Sequence, residues 1–198
     1  ILKILSIMTN KILYFHGFKS SSDSTKAKNF KKFVLSNSKN TEVIIPNLND
    51  CFKEAFEQIN NIIELNKGGL SFMGSSLGGY YACYFAQKYQ SKAVLINPAI
   101  PPLKNFEIHL GKNENYSTGN KFLIDKDDIN FIRSLSYKKL LFPENFLVLL
   151  ESGDEILNYD QSASYYSGAH IDILFGGDHS YLSFSNKFDK IKKFLDIS

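Results

Sequence analysis

Leu70-Ser71-Phe72-Met73-Gly74-Ser75-Ser76-Leu77-Gly78-Gly79-Tyr80 is the stretch on which the reading of this sequence turns. An apolar run of strand length passes through Gly-x-Ser-x-Gly into a segment with helical spacing. The bare pentapeptide is weak evidence, so the context carries the weight. With a strand before it and a helix after it, Ser76 occupies a sharp, strained turn that lifts its hydroxyl above the sheet edge. Gly74 and Gly78 then have a steric purpose, because side chains there would collide with neighbouring backbone. Ser75 lacks glycines at the two required offsets and reads as a spacer. The plainer alternative is a glycine-rich strand-to-helix turn with structural serines, and the rest of the chain decides between the two.

Outward from this turn, apolar runs of strand length recur at 12–15, 43–45, 70–73, 93–96, 146–150 and 171–175, each closed by a turn residue. Several lack polar alternation, as a parallel sheet covered on both faces requires. Helical spacing fills the intervals at 26–35, 52–65, 77–89, 159–166 and 184–194. In the second of these, Phe52, Phe56, Ile59, Ile62 and Ile63 form one apolar stripe. Strand then helix, repeated, predicts an α/β fold with a compact, mostly parallel, doubly wound sheet of about six strands. Roughly 45 residues separate the strands at 93–96 and 146–150, far more than a crossover needs. Pro98, Pro101, Pro102, Gly111, Gly119 and Pro143 punctuate that interval, which predicts a helical cap inserted at about 98–145 into a single domain spanning 1–198.

A serine hydroxyl needs a base to take its proton and an acid to orient the base. His179, in Gly176-Gly177-Asp178-His179-Ser180, follows the last apolar strand, where a loop projects it from the carboxyl edge of the sheet. His109 and His170 follow no strand end and are assigned surface or cap positions. The candidate acid is Asp154, in Glu151-Ser152-Gly153-Asp154-Glu155, directly after the strand at 146–150. Asp178 adjoins His179, but neighbouring side chains on one loop seldom converge; Glu155 and Asp160 rank lower still. The backbone N–H of Leu77, at the start of the helix after the serine, is a donor for an oxyanion.

Composition narrows the function classes. The 198 residues are 43% apolar and 14% aromatic, with a formal charge of only +3 and lysines scattered among acids, which argues against a nucleic-acid partner. Cys51 and Cys83 have no paired spacing, so neither a disulfide framework nor a zinc site is expected, and reduced thiols in a cytoplasm fit best. Residues 1–7, ahead of Met8, read as an upstream extension too short to span a bilayer and without a cleavage pattern, so neither a signal nor a membrane partner is expected. No phosphate loop, dinucleotide fingerprint or metal-ligand spacing is present, so no cofactor and no metal are expected.

The chain order Ser76, Asp154, His179 is that of the α/β-hydrolase arrangement. From about residue 12 onward the sequence resembles the small bacterial α/β-hydrolases known as YqiA-like esterases. Tyr14-Phe15-His16-Gly17-Phe18, Gly74-Ser75-Ser76-Leu77-Gly78-Gly79, Asn97-Pro98-Ala99, Gly111-Lys112-Asn113-Glu114-Asn115-Tyr116, Gly153-Asp154-Glu155 and the Gly-Gly-x-His loop ending at His179 carry the likeness. It implies an α/β-hydrolase fold lacking the earliest strands of larger relatives, and an esterase or acyl thioesterase acting on a small-molecule ester or thioester. His16-Gly17-Phe18 resembles the His-Gly stretch of other α/β-hydrolases, which makes the Phe18 N–H the second oxyanion donor and His16 a brace for its loop. Asp178 stands where that group is expected to have asparagine, an added negative charge beside His179. Within the cap, Phe106, Leu110, Tyr116 and Phe122 could wall an acyl pocket, and Lys104, Lys112 and Lys121 could meet an acidic leaving group such as coenzyme A. A catalytically silent module that binds through the cap, and hydrolysis of peptide or carbon-carbon bonds, are the competing readings.

Overall fold

Side chains alternate between the two faces of a strand, so a sheet covered on both sides needs apolar residues at every position. The computed structural model describes residues 10–66 and 68–198; the extension at 1–7 lies outside the described residues. In chain order the elements are β1 (Asn10–Phe15), α1 (Thr25–Asn37), β2 (Thr41–Ile44), α2 (Phe52–Leu65), β3 (Leu70–Ser75), α3 (Leu77–Tyr89), β4 (Ala93–Ile96), β5 (Gly111–Glu114), β6 (Lys121–Ile124), α4 (Lys126–Ser134), β7 (Phe146–Glu151), α5 (Tyr159–Tyr165), β8 (His170–Leu174) and α6 (Phe188–Phe194). Six of the strands form one parallel sheet in the order β2-β1-β3-β4-β7-β8. This is the compact, doubly wound parallel sheet expected from the sequence.

The alternation is visible in which helices each residue meets. Ile12, Tyr14, Met73, Val94, Ile96, Leu147 and Leu149 pack with Phe30 and Val34 of α1 and with Phe188 and Ile191 of α6. Their neighbours in sequence, Leu13, Phe15, Phe72, Leu95, Val148 and Leu150, pack on the opposite side with Ile59 and Ile63 of α2 and with Tyr81 and Phe85 of α3. Burying one such Leu or Phe side chain stabilises the fold by about 1.5–3 kcal/mol, so the sheet is held from both sides at almost every position. The α2 stripe is the expected one, with Phe52, Ile59 and Ile63 buried and Phe56 and Ile62 packed against the same cluster.

Differences from expectation are local. β2 ends at Ile44 and β8 at Leu174, leaving Phe175 exposed, and the last helical segment is divided into a 3-10 turn, Leu182–Lys187, and α6. The cap expected to be helical contains an antiparallel hairpin, β5 with β6, between a 3-10 turn at Phe106–His109 and α4. β5 is short and polar, and β6 carries only three apolar residues, of which Leu123 is exposed and Ile124 buried.

Two glycines set the geometry of the strand-to-helix turn. A Cβ on Gly74 would overlap the Gly78 carbonyl, and one on Gly78 would overlap the carbonyls of Phe15 and His16. Because the obstruction is main chain, it cannot rotate away. Gly78→Ala is therefore expected to lower stability by about 2–3 kcal/mol in urea unfolding, and a midpoint equal to that of the unaltered protein would refute this close approach.

Candidate active site

The turn after β3 holds Ser76 at φ 55°, ψ −123°, a region that non-glycine residues avoid at a cost of about 1–3 kcal/mol. Surrounding bonds overdetermine it. The Ser76 N–H donates to the Ile96 carbonyl at 3.0 Å, and the Ser76 carbonyl accepts from the N–H groups of Gly79 at 3.0 Å and Ala99 at 3.1 Å. The backbone is thus pinned to β4 and to the chain beyond it, while the side chain stands at the carboxyl edge of the sheet.

Strands β7 and β8 are neighbours, so the loops that follow them emerge together. They are laced by backbone: the Ser152 N–H donates to the Leu174 carbonyl at 2.9 Å, the Gly153 N–H to the Gly176 carbonyl at 2.8 Å, and the Gly176 N–H to Ser152 Oγ at 2.9 Å. This brings His179 Nδ1 to 2.8 Å from Asp154 Oδ2, with His179 Nε2 3.1 Å from Ser76 Oγ. An ionised carboxylate only accepts, so Nδ1 carries the proton and Nε2 is left to accept from the serine hydroxyl. Asp154 is itself fixed, its Oδ1 accepting from the N–H groups of Ile156 at 2.9 Å and Leu157 at 2.8 Å. Its side chain is 2% exposed and that of His179 18%, so the line runs from a closed acid to a half-buried serine. Asp178 turns away, its Oδ1 accepting from the Tyr181 N–H at 3.1 Å.

Gly17 lies against the serine: a Cβ added there would stand 3.4 Å from the Ser76 Cβ. Among the described residues, neither the Phe18 nor the Leu77 N–H has a hydrogen-bond partner within the protein. His16 does brace this loop. Its Nδ1–H donates to the Gly17 carbonyl at 3.0 Å and its Nε2 accepts from the Leu48 N–H at 3.0 Å, while burial pushes its pKa down and keeps the ring neutral.

The cap closes over the same loop. The Phe18 ring meets Phe52, Phe106, His109 and Phe122 with centroids 5.9, 5.7, 4.9 and 6.1 Å away. Buried Asn115, between β5 and β6, donates to the Ser20 carbonyl at 3.0 Å and to Asp50 Oδ1 at 2.7 Å, and the Tyr116 N–H donates to the Lys19 carbonyl at 3.0 Å. Only about 20 Å³ of cavity remains beside Phe18, Phe52, Leu77 and Tyr81. Phe106 and Phe122 pack on the Phe18 ring. Leu110 and Tyr116 are 38% and 84% exposed. Lys104, Lys112 and Lys121 are exposed.

Three supporting residues went unassigned from sequence. Asn97, 2% exposed, accepts from the Glu151 N–H at 2.9 Å and donates to the Asp178 carbonyl at 3.1 Å, tying the ends of β4 and β7 to the His179 loop. Glu151, 1% exposed, accepts from the Asp178 N–H at 2.8 Å and from the Ser183 hydroxyl at 2.5 Å. Glu155 accepts from the His179 N–H at 2.9 Å, which fixes the loop and not the ring. The Asn97-Pro98-Ala99 stretch was the signal available for the first; Glu151 offered none beyond its place at the end of an apolar strand. His109 packs edge-on against Phe18 and Phe106, and His170 against Phe194. Among the described residues no group of three or more His, Cys, Asp and Glu side chains is placed to hold a metal, and no helix is long and apolar enough to cross a membrane.

Residues 11–196 match the uncharacterised protein family UPF0227. The chain belongs to this family, the YqiA group that its motifs resemble. Solved structures extend the likeness at the level of fold. Mouse alpha/beta hydrolase domain-containing protein 10 superposes with a TM-score of 0.71 at 17% identity, over 95% of this chain and 90% of that one. Est1E from Butyrivibrio proteoclasticus, with ferulic acid bound, gives 0.71 at 12% identity, over 98% and 90%. An esterase domain from a Rhodothermus marinus protein gives 0.68 at 16% identity, over 98% and 89%. UPF0227 membership thus accompanies an α/β-hydrolase fold along nearly the whole chain.

Proposed function

We propose that this protein is a serine hydrolase that cleaves carboxylic esters or acyl thioesters through an acyl-enzyme on Ser76. The observation that carries this reading is the continuous line of hydrogen bonds from Ser76 Oγ through the His179 ring to the closed carboxyl group of Asp154. His179 Nε2 takes the hydroxyl proton as Oγ attacks the acyl carbon. Asp154 stabilises the imidazolium that forms. The carbonyl oxygen becomes an oxyanion, for which the unpartnered N–H groups of Phe18 and Leu77 are the donors. His179 then protonates the departing alkoxide or thiolate, and water, deprotonated by the same ring, releases the acid and restores Ser76. The free thiols of Cys51 and Cys83 fit work in a reducing cytoplasm.

The test is a panel of p-nitrophenyl esters and acyl thioesters of increasing chain length, run beside labelling with a fluorophosphonate probe. Turnover and a single label on Ser76 are expected. No turnover and no label across the panel would favour a silent binding module, and cleavage confined to peptides or carbon-carbon bonds would move the reaction to another class. Comparing acyl-coenzyme A with an uncharged thioester of the same chain at low and high salt decides whether Lys104, Lys112 and Lys121 meet an acidic leaving group.

A further inference from the structure

A glutamate is almost never fully buried unless its carboxyl group is given partners. Glu151, the last residue of β7, is 1% exposed, and both of its oxygens accept: Oε2 from the Asp178 N–H at 2.8 Å and Oε1 from the Ser183 hydroxyl at 2.5 Å. Asp178 is gripped a second time at its other end. Its carbonyl accepts from Asn97 Nδ2 at 3.1 Å, and Asn97 Oδ1 accepts in turn from the Glu151 N–H at 2.9 Å. These bonds close a ring through the ends of β4 and β7 and the residue that precedes His179. The Glu151 carbonyl also accepts from the Asp154 N–H at 3.2 Å, so one residue starts the turn that carries the acid and grips the loop that carries the base. The fit is close, because a Cβ on Gly177 would overlap Glu151 Oε2.

We propose that Glu151 is a positioning residue: through the Asp178 N–H, its side chain sets where His179 stands between Ser76 and Asp154. The imidazole is in reach on both sides, 3.1 Å from Ser76 Oγ and 2.8 Å from Asp154 Oδ2, so a small shift of its backbone lengthens one bond or the other. The N–H of His179 itself is taken by Glu155, whose side chain is exposed, which leaves the buried bond at Asp178 as the firmer hold. What Glu151 supplies is an acceptor at a fixed point. A backbone N–H only donates, whereas the Ser183 hydroxyl can donate or accept. Glutamine at this position can therefore keep its carbonyl oxygen on Asp178 and turn its NH₂ to Ser183. Methionine, of similar length, gives the Asp178 N–H no comparable acceptor, and aspartate keeps the carboxyl group but falls one methylene short.

This inference rests on the proposed reaction, so readouts with and without substrate are paired. In the full chain, kcat and KM for a p-nitrophenyl ester, the fraction of Ser76 labelled by a fluorophosphonate, and the downfield proton resonance of the His179 Nδ1–H bond to Asp154 are compared. The proteins are the unaltered chain, Glu151→Gln, Glu151→Asp and Glu151→Met. Turnover per labelled serine is expected to fall about 10²-fold in Glu151→Met and about tenfold in Glu151→Asp at unchanged KM, and to stay within about threefold in Glu151→Gln. The resonance should move upfield in Glu151→Met and Glu151→Asp and hold its place in Glu151→Gln. A structural role alone would leave fewer labelled molecules, each turning over at the unaltered rate; that result overturns the proposal, as does a loss in Glu151→Gln equal to that in Glu151→Met. If Glu151→Met fails to fold, Glu151→Asp carries the same comparison. An unaltered protein with neither turnover nor label would instead overturn the reaction; the resonance then decides the positioning, and an unmoved signal in Glu151→Asp would refute it.

Discussion

Ser76→Ala is expected to lower kcat/KM for ester hydrolysis by about 10⁴-fold or more and to remove fluorophosphonate labelling, with the fold retained. The hydroxyl is the only group removed, and the turn that presents it is set by main chain: Gly74 against Gly78, and the Ser76 carbonyl bound to Gly79 and Ala99. Alanine at this position keeps those bonds. Ser75→Ala should cost about tenfold or less, because its hydroxyl accepts from the Lys26 ammonium at 2.9 Å and takes no part in the line from Ser76 to Asp154. Steady-state kinetics, active-site labelling and circular dichroism on both variants decide the matter. Near-normal turnover in Ser76→Ala, or equal losses at the two serines, would refute the proposed mechanism.

Asp154→Asn is expected to reduce kcat by about 10³–10⁴-fold, and Asp178→Asn by less than about tenfold. The asymmetry follows from who bonds to what. Asp154 Oδ1 accepts from two backbone N–H groups, so an asparagine there keeps its carbonyl oxygen on them and turns its NH₂ toward His179 Nδ1. Nδ1 must then accept, the ring proton moves to Nε2, and Nε2 can no longer take the proton of Ser76. Asp178 contacts the Tyr181 N–H and not the imidazole, so its amide leaves the tautomer unchanged. In the unaltered protein, turnover should fall on the acid side as His179 gains a proton, because only the neutral ring can act as base. A pH–rate profile with both variants tests this, and comparable damage at the two positions would reassign the acid.

Much of the fold was legible because it rests on short-range rules. The limits of α2 and α3 agree with the apolar spacing to the residue, and β4 with its apolar run. Ser76, Asp154 and His179 were each marked by position after a strand, and a parallel sheet delivers every such residue to one edge. The cap was harder. Four-residue strands with polar, alternating side chains, such as Gly111–Glu114, carry almost no periodic signal, and their pairing depends on a partner seven or more residues away. Phe106 and Phe122 pack on the Phe18 ring while Leu110 and Tyr116 are exposed, a division set by how the cap docks on Phe18 and through Asn115.

The sequence by itself determined the α/β order, the strained turn at Ser76 and the candidates for base and acid, since each depends on sterics and periodicity within a few residues. Tertiary structure alone decided which of them meet. Ser76 and His179 are 103 residues apart in the chain, Lys26 and Ser75 are 49 apart, and Asp154 and His179 are 25 apart. Contacts at such separations follow from the order β1-β3-β4-β7-β8 and from the loops that this order sets side by side. That order is a property of the packed sheet, which no local pattern encodes, and so the tie of Asn97 to Glu151, the aromatic contacts of the cap and the contact of Lys26 with Ser75 emerged only once the strands were in register.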